Sequence, residues 1–255
     1  SFGKSSHTNP QLFLYINVTQ HLPKMPTKKE LTERWNPDLN LSSMIKNSRG
    51  FDNIETDFRG ITYGNSTSRK NLDNFQISGS DFTYSSFENC NFIKAKFENC
   101  NFQNANFKDT RFWDCEFIGC EFLKTDFRNA TLGVNSIFKD CKFTSSKLKG
   151  KYFSFGYHSI FFDSKFSSCE IQSAWILSAS FRNCSFDSKF TNVRFSGKKE
   201  AELSSRKEFP ATFIDCDLEN STFIRLEIMD GAILENTKLP NQENSRFNND
   251  RIYYE

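Results

Sequence analysis

The stretch that decides the fold reads Ser80-Asp81-Phe82-Thr83-Tyr84-Ser85-Ser86-Phe87-Glu88-Asn89-Cys90-Asn91-Phe92-Ile93-Lys94, and the same metre runs on to Leu132. Phe82, Phe87, Phe92, Phe97, Phe102, Phe107, Phe112, Phe117, Phe122, Phe127 and Leu132 follow one another at intervals of five, and Leu72 and Ile77 carry the series backwards. Two places before each large residue stands a small one: Ser80, Ser85, Cys90, Ala95, Cys100 and so on to Ala130. A period of five suits neither a helix, at about 3.6, nor a plain strand, at 2. Residues two apart in an extended segment do share a face, so the small and large side chains can both point inward while the other three turn a corner. The chain therefore predicts a coil with flat sides.

Composition agrees. The 255 residues include 30 Phe against 7 Tyr and 3 Trp, an excess that means one geometric slot is filled repeatedly by one side chain. The 33 basic residues nearly balance the 31 acidic ones, giving a net charge of +2, which argues against a strongly polyanionic or polycationic partner. No stretch reaches the roughly 20 apolar residues of a membrane helix, so no membrane span is expected. The start, Ser1-Phe2-Gly3-Lys4, lacks both an initiator Met and the apolar core of a signal peptide, and reads as a piece of something longer.

Copies such as Cys90-Asn91-Phe92-Ile93-Lys94 and Ala105-Asn106-Phe107-Lys108-Asp109 resemble the pentapeptide-repeat proteins, whose motif is small, polar, Leu or Phe, polar, any. That resemblance implies an all-β solenoid, a right-handed quadrilateral β-helix with four repeats per coil. Phe82, Phe102 and Phe122 would then stack in one column and Phe87, Phe107 and Phe127 in the next, with coils about 4.8 Å apart. The repeats amount to roughly seven or eight coils, a column of about 35 Å.

Breaks in the metre mark the domain plan. A one-residue insertion near 133–135 shifts the register to Phe138, Phe143, Leu148 and Phe153, and 154–160 is irregular. Order resumes at Phe161 and runs to Phe186; Phe190 and Phe195 come one residue early, and the Lys-rich 196–210 reads as an insertion before period five returns at Phe213. The repeat domain spans 56–240, preceded by an early turn at Phe58 and Ile61. Residues 1–55 read as a mostly helical or irregular cap, needed because a solenoid end leaves backbone groups unpaired. Thr27-Lys28-Lys29-Glu30 has the capping-box pattern, and a second short helix is expected near 41–47. Residues 241–255 are a strand, a tail or a linker.

Chemistry is sparse. All eight Cys fall in the small inward slot, where a thiol acts as a small hydrophobe and not as a nucleophile. Cys100 and Cys120 lie one coil apart, yet nothing indicates an oxidising compartment, so free thiols are expected. His7, His21 and His158 show no metal-ligand spacing, and no phosphate loop or catalytic triad emerges; no catalytic residue, metal or cofactor is assigned. Asp114, Glu116 and Glu121 could share an outer face. Partner binding is expected at the insertion, through Lys198, Lys199, Arg206 and Lys207, and at Tyr157 and His158, within a tract (Tyr152, Phe155, Tyr157, His158, Phe161) whose aromatics cannot all turn inward. Lys139, Lys142, Lys147, Lys149 and Lys151 make mid-column locally basic.

Two functional readings follow from resemblance. Ser80-Asp81-Phe82-Thr83-Tyr84-Ser85 and Thr212-Phe213-Ile214-Asp215-Cys216-Asp217-Leu218-Glu219-Asn220 resemble the β-helix region of the SopA-type effectors of enteric bacteria, HECT-like ubiquitin ligases injected by type III secretion. The resemblance implies a module that binds a host protein in the host cytoplasm and recruits targets for a ligase domain not in this chain, with no nucleic-acid partner. The alternative is a bacterial cytoplasmic gyrase-binding protein of the DNA-mimicking kind. A 35 Å duplex mimic would want on the order of twenty negative charges, and the net charge is +2. Oligomeric state is open.

Overall fold

The computed structural model describes residues 26–35, 57–74, 76–195, 210–228 and 232–240. It is a parallel β-solenoid in which every strand pair is parallel and joins residues about one coil apart. Four flat faces turn about a core of Phe, and we name each by its Phe in one central coil. The Phe102 face stacks Phe58, Phe82, Phe102, Phe122, Phe143, Phe166 and Phe186. The Phe107 face follows, with Phe87, Phe107 and Phe127, then Leu148, Ile171 and Phe190. The Phe112 face carries Leu72, Phe92, Phe112, Leu132, Phe155, Ile176 and Phe195. The Phe117 face has eight rungs among the described residues, led by Ile77, Phe97, Phe117, Phe138, Phe161, Phe181, Phe213 and Leu234.

The inward placement of the period-five residues is complete over Phe82 to Leu132, each at 0–1% exposure. Within a column the rings stack nearly parallel, as in Phe102–Phe122 at 5.2 Å and 6°; neighbours along the coil meet edge to face, as in Phe102–Phe107 at 5.3 Å and 64°. Both arrangements suit the ring quadrupole, at about 0.5–1.5 kcal/mol per pair beyond burial.

The small slot has a reason beyond size. Most of its hydroxyls and thiols donate to the carbonyl of a large residue one rung earlier, as in Thr110 Oγ1 to Phe87 O at 2.8 Å, Ser146 Oγ to Phe122 O at 2.6 Å and Cys120 Sγ to Phe97 O at 3.5 Å, whereas Ser85 Oγ is buried without a partner. At those positions Ser, Thr and Cys bury a polar atom with its partner supplied. The motif position two after the Phe is also restricted. Asn74, Asn89, Asn99, Asn104 and Asp109 hold φ between 51° and 57°, the left-handed corner that Asn, Asp and Gly tolerate best.

The insertion near 133–135 is a bulge: Thr131 pairs with Arg111 and Val134 with Trp113, one residue out of step. Gly133 takes φ +90°, and a Cβ on Gly156 would lie 1.5 Å from Gly133 O, so the two backbones approach where no side chain fits. The expected register in the next coil is corrected. Phe155, not Phe153, pairs with Leu132 in the column, and Phe153 fills the slot that Ala130 and Ala174 hold on adjacent rungs. Two extra residues, Lys151 and Tyr152, are thereby forced out of the corner.

The leading helix α1, Lys28–Glu33, has the capping box the sequence pattern predicts, with Thr27 and Glu30 bonding each other's backbone N–H. Leu31 is buried, Trp35 stacks on Phe58 at 6.3 Å, and Arg34 bonds Asp57, so this segment sits on the first coil. The expected helix near 41–47 and the segment 241–255 lie outside the described residues. No helix among the described residues is long and apolar enough to cross a membrane.

Candidate functional site

The thiols are all buried and unpaired by disulfides. Burial pushes Cys90 up to about 12 and Cys115 and Cys169 each up to about 11, so these are poor nucleophiles near neutrality. Among the described residues no group of three His, Cys, Asp or Glu side chains is placed to hold a metal.

The acidic trio is not brought together. Asp114 lies at a corner, Glu116 on the Phe117 face beside Lys96 at 3.7 Å, and Glu121 on the Phe102 face bonded to Lys142 at 2.9 Å. The mid-column lysines also scatter: Lys139 on the Phe117 face, Lys142 on the Phe102 face, Lys147 and Lys149 on the Phe107 face, Lys151 at a corner. Lys149 is bonded to Glu170 at 2.6 Å.

Of the expected partner-binding residues, Lys198, Lys199, Arg206 and Lys207 lie outside the described residues. Tyr157 and His158 are half-buried at the corner between the Phe112 and Phe117 faces, with His158 in the left-handed conformation at φ 56°. The described chain ends at Phe195 on the Phe112 face and resumes at Pro210, ahead of the Phe117 face. In the expected aromatic tract Phe155 and Phe161 are fully buried, and the exposed members are Tyr152, at 66%, and Phe162, which the sequence reading passed over.

Phe162 belongs to a surface the sequence reading missed. On the Phe117 face Ile137 pairs with Ile160 and Lys139 with Phe162, and the three apolar side chains are 39%, 40% and 38% exposed. Ile118, Ile214 and Ile233 extend the stripe on other rungs of that face, half-buried. Lys139 Nζ lies 5.9 Å from the Phe162 ring, and Arg182 stands in register with Phe162 on the next rung. The signal was present as apolar residues on either side of an inward Phe, in Ile137-Phe138 and Ile160-Phe161-Phe162. Their spacing of 23 residues hid that they are neighbours.

A second surface lies at the corner between the Phe107 and Phe112 faces. There Lys151, Trp175, Arg194 and Arg225 line a groove of about 640 Å³ with Ser173 and Asn192. The Arg194 guanidinium sits 4.8 Å from the Trp175 ring centroid, yet Trp175 is 42% exposed.

A family profile described as "Pentapeptide repeat region" matches residues 90–154. Over those residues, about a quarter of its length, the chain is similar to that family. The described repeats on either side of that stretch continue its parallel ladder. No curated protein matches the chain. Among solved structures, full-length QnrB1, a plasmid-mediated fluoroquinolone resistance protein, is 21% identical over 73% of this chain and 92% of its own, with a TM-score of 0.26. The pentapeptide repeat protein Rfr23 from the cyanobacterium Cyanothece 51142 is 11% identical over 72% and 87%, with a TM-score of 0.16. The fold itself rests on the strand pairing and the ring columns.

Proposed function

We propose that this chain is a binding solenoid whose Phe117 face docks a partner protein presenting apolar side chains flanked by carboxylates. The observation that carries this is the exposure of Ile137, Ile160 and Phe162 together on a flat sheet, with Lys139 and Arg182 beside them. A soluble surface leaves large apolar side chains adjacent at a cost, and apolar patches rimmed by charge are where protein partners sit. Eight rungs give that face a length of about 34 Å, enough for an interface of ordinary size. Burying the stripe would place a partner's carboxylates opposite Lys139 and Arg182.

A photo-crosslinking residue at Phe162 should give a discrete protein adduct that Ile160→Glu abolishes. One at Gln172, on the opposite face, should give none. Equal adducts from both positions would remove the face from consideration. The setting in a host cell, and recruitment for a ubiquitin ligase, has only the sequence resemblance to SopA-type effectors in its support; the comparisons add nothing to it.

The gyrase-binding reading has a specific observation in its favour. The corner between the Phe117 and Phe102 faces carries Asp140, Asp163 and Asp215 in one row, with Asn183 donating to Asp163 at 2.5 Å and Asn236 to Asp215 at 2.7 Å. Such an anionic line could lie where a phosphate backbone does, although 33 bases against 31 acids leave the whole chain far from duplex charge. Purified gyrase decides it: inhibition of supercoiling that Asp140→Asn with Asp163→Asn relieves favours this reading over the Phe117 face.

A further inference from the structure

The corner groove between the Phe107 and Phe112 faces has features that neither reading above uses. At its near end Phe153 fills the slot that alanine holds on adjacent rungs, Lys151 stands outward at the corner, and Lys151 Nζ lies 5.2 Å from the Tyr152 ring. The rungs beyond continue it with Ser173, Asn192 and Arg225, all held at left-handed φ of 53–56°. On the adjacent face the exposed indole of Trp175 carries Arg194 at 4.8 Å.

Three of its lining side chains are cations and none is a carboxylate, in a chain whose charges nearly balance. The volume, about 640 Å³, falls in the range of small-molecule sites. Trp175 and Arg225 lie two rungs apart, about 10 Å along the column. A ligand that engages both must carry a flat ring and an anion separated by a spacer.

We propose that this groove binds a nucleotide. The base stacks on the exposed indole of Trp175, as bases do on aromatic platforms. The phosphate is met by Arg225 and Lys151, with the Ser173 hydroxyl and the Asn192 amide as further donors. Arg194, already lying against the indole, faces the ligand with the rest of its charge. The site is on a different surface from the Phe117 face, so the two assignments stand or fall separately.

Isothermal titration of the purified chain with ADP tests it. Binding is expected, weakened about tenfold or more both by Trp175→Ala, which removes an outward side chain, and by Arg225→Asn, which keeps a residue suited to the left-handed corner. Unchanged circular dichroism establishes that each variant is folded. Ile160→Glu on the other face should leave ADP binding as it was. Pyrophosphate binding as tightly as ADP would overturn the proposal, because the ring would not be read. So would tighter binding of hexaglutamate, which would make the groove a site for acidic protein segments. Tighter binding of an oligothymidylate than of ADP would overturn the free-nucleotide assignment in favour of a strand. No heat from ADP at about 5 mM would end it outright.

Discussion

Arg34, just after the leading helix, and Asp57, on the first rung, are joined by two hydrogen bonds, Nη1 to Oδ2 at 2.8 Å and Nη2 to Oδ1 at 2.6 Å. Arg59 bonds the same carboxylate at 2.9 Å, and the Trp35 indole donates to Arg59 O at 2.7 Å. A short helix thus seals a solenoid end through one shared anion. The Arg34 and Arg59 side chains hold the Asp57 carboxyl far below the usual carboxylate range.

The pH consequence follows from that direction. A carboxylate depressed in the folded state contributes stability above its unfolded pKa, near 3.9, and loses it as pH falls further toward the folded value. Thermal melts from pH 7 to pH 2 should show the loss confined to the acid side of about 4. Asp57→Asn should cost about 1 kcal/mol at pH 7, the modest scale of a partly exposed network, and should flatten part of the acid dependence. An unchanged acid limb in the variant would count against the pairing.

Phe107 is fully buried between Phe87 and Phe127 at 5.3 Å on each side. Phe107→Ala should cost about 3–5 kcal/mol in a denaturant melt, since neither stacked ring can collapse into the gap without breaking its own register. A cost below about 1 kcal/mol would place the ring elsewhere.

Asn104 holds φ 55° at a corner. Replacement by Ala should cost about 1 kcal/mol, and by Gly almost nothing, because the penalty is the Cβ in left-handed backbone and not a lost contact. Equal costs for the two changes would refute that cause.

The thiols should be silent toward an aromatic disulfide reagent at pH 8 in native buffer and react fully on unfolding. Cys90, pushed up to about 12, holds almost no thiolate there, and no reagent reaches a slot at 0% exposure. Rapid native labelling would mean that the coils open.

Much of this was legible in the chain, and the gaps have a common origin. The inward Phe columns, the buried cysteines, the capping box at Thr27 and the extra residue near Gly133 are local patterns, and local patterns read directly. The exchange of Phe153 for Phe155 was missed because both are Phe and both are buried; only pairing with Leu132 tells them apart. The apolar stripe and the corner groove were missed because their members stand about twenty or more residues apart.

The period of five, by itself, determined which side chains enter the core, since a strand's alternation leaves a residue two choices and the small-large pairing removes one. Which outward side chains become neighbours was decided only by the stacked coils. Each slip, by one residue at Gly133, by two at Lys151 and Tyr152, and by one before Phe190, re-registers everything after it against the rung before. Ile137 meets Ile160, and Trp175 meets Arg194, because backbone hydrogen bonds between coils set those distances, and no stretch of the chain short enough to read locally contains both partners.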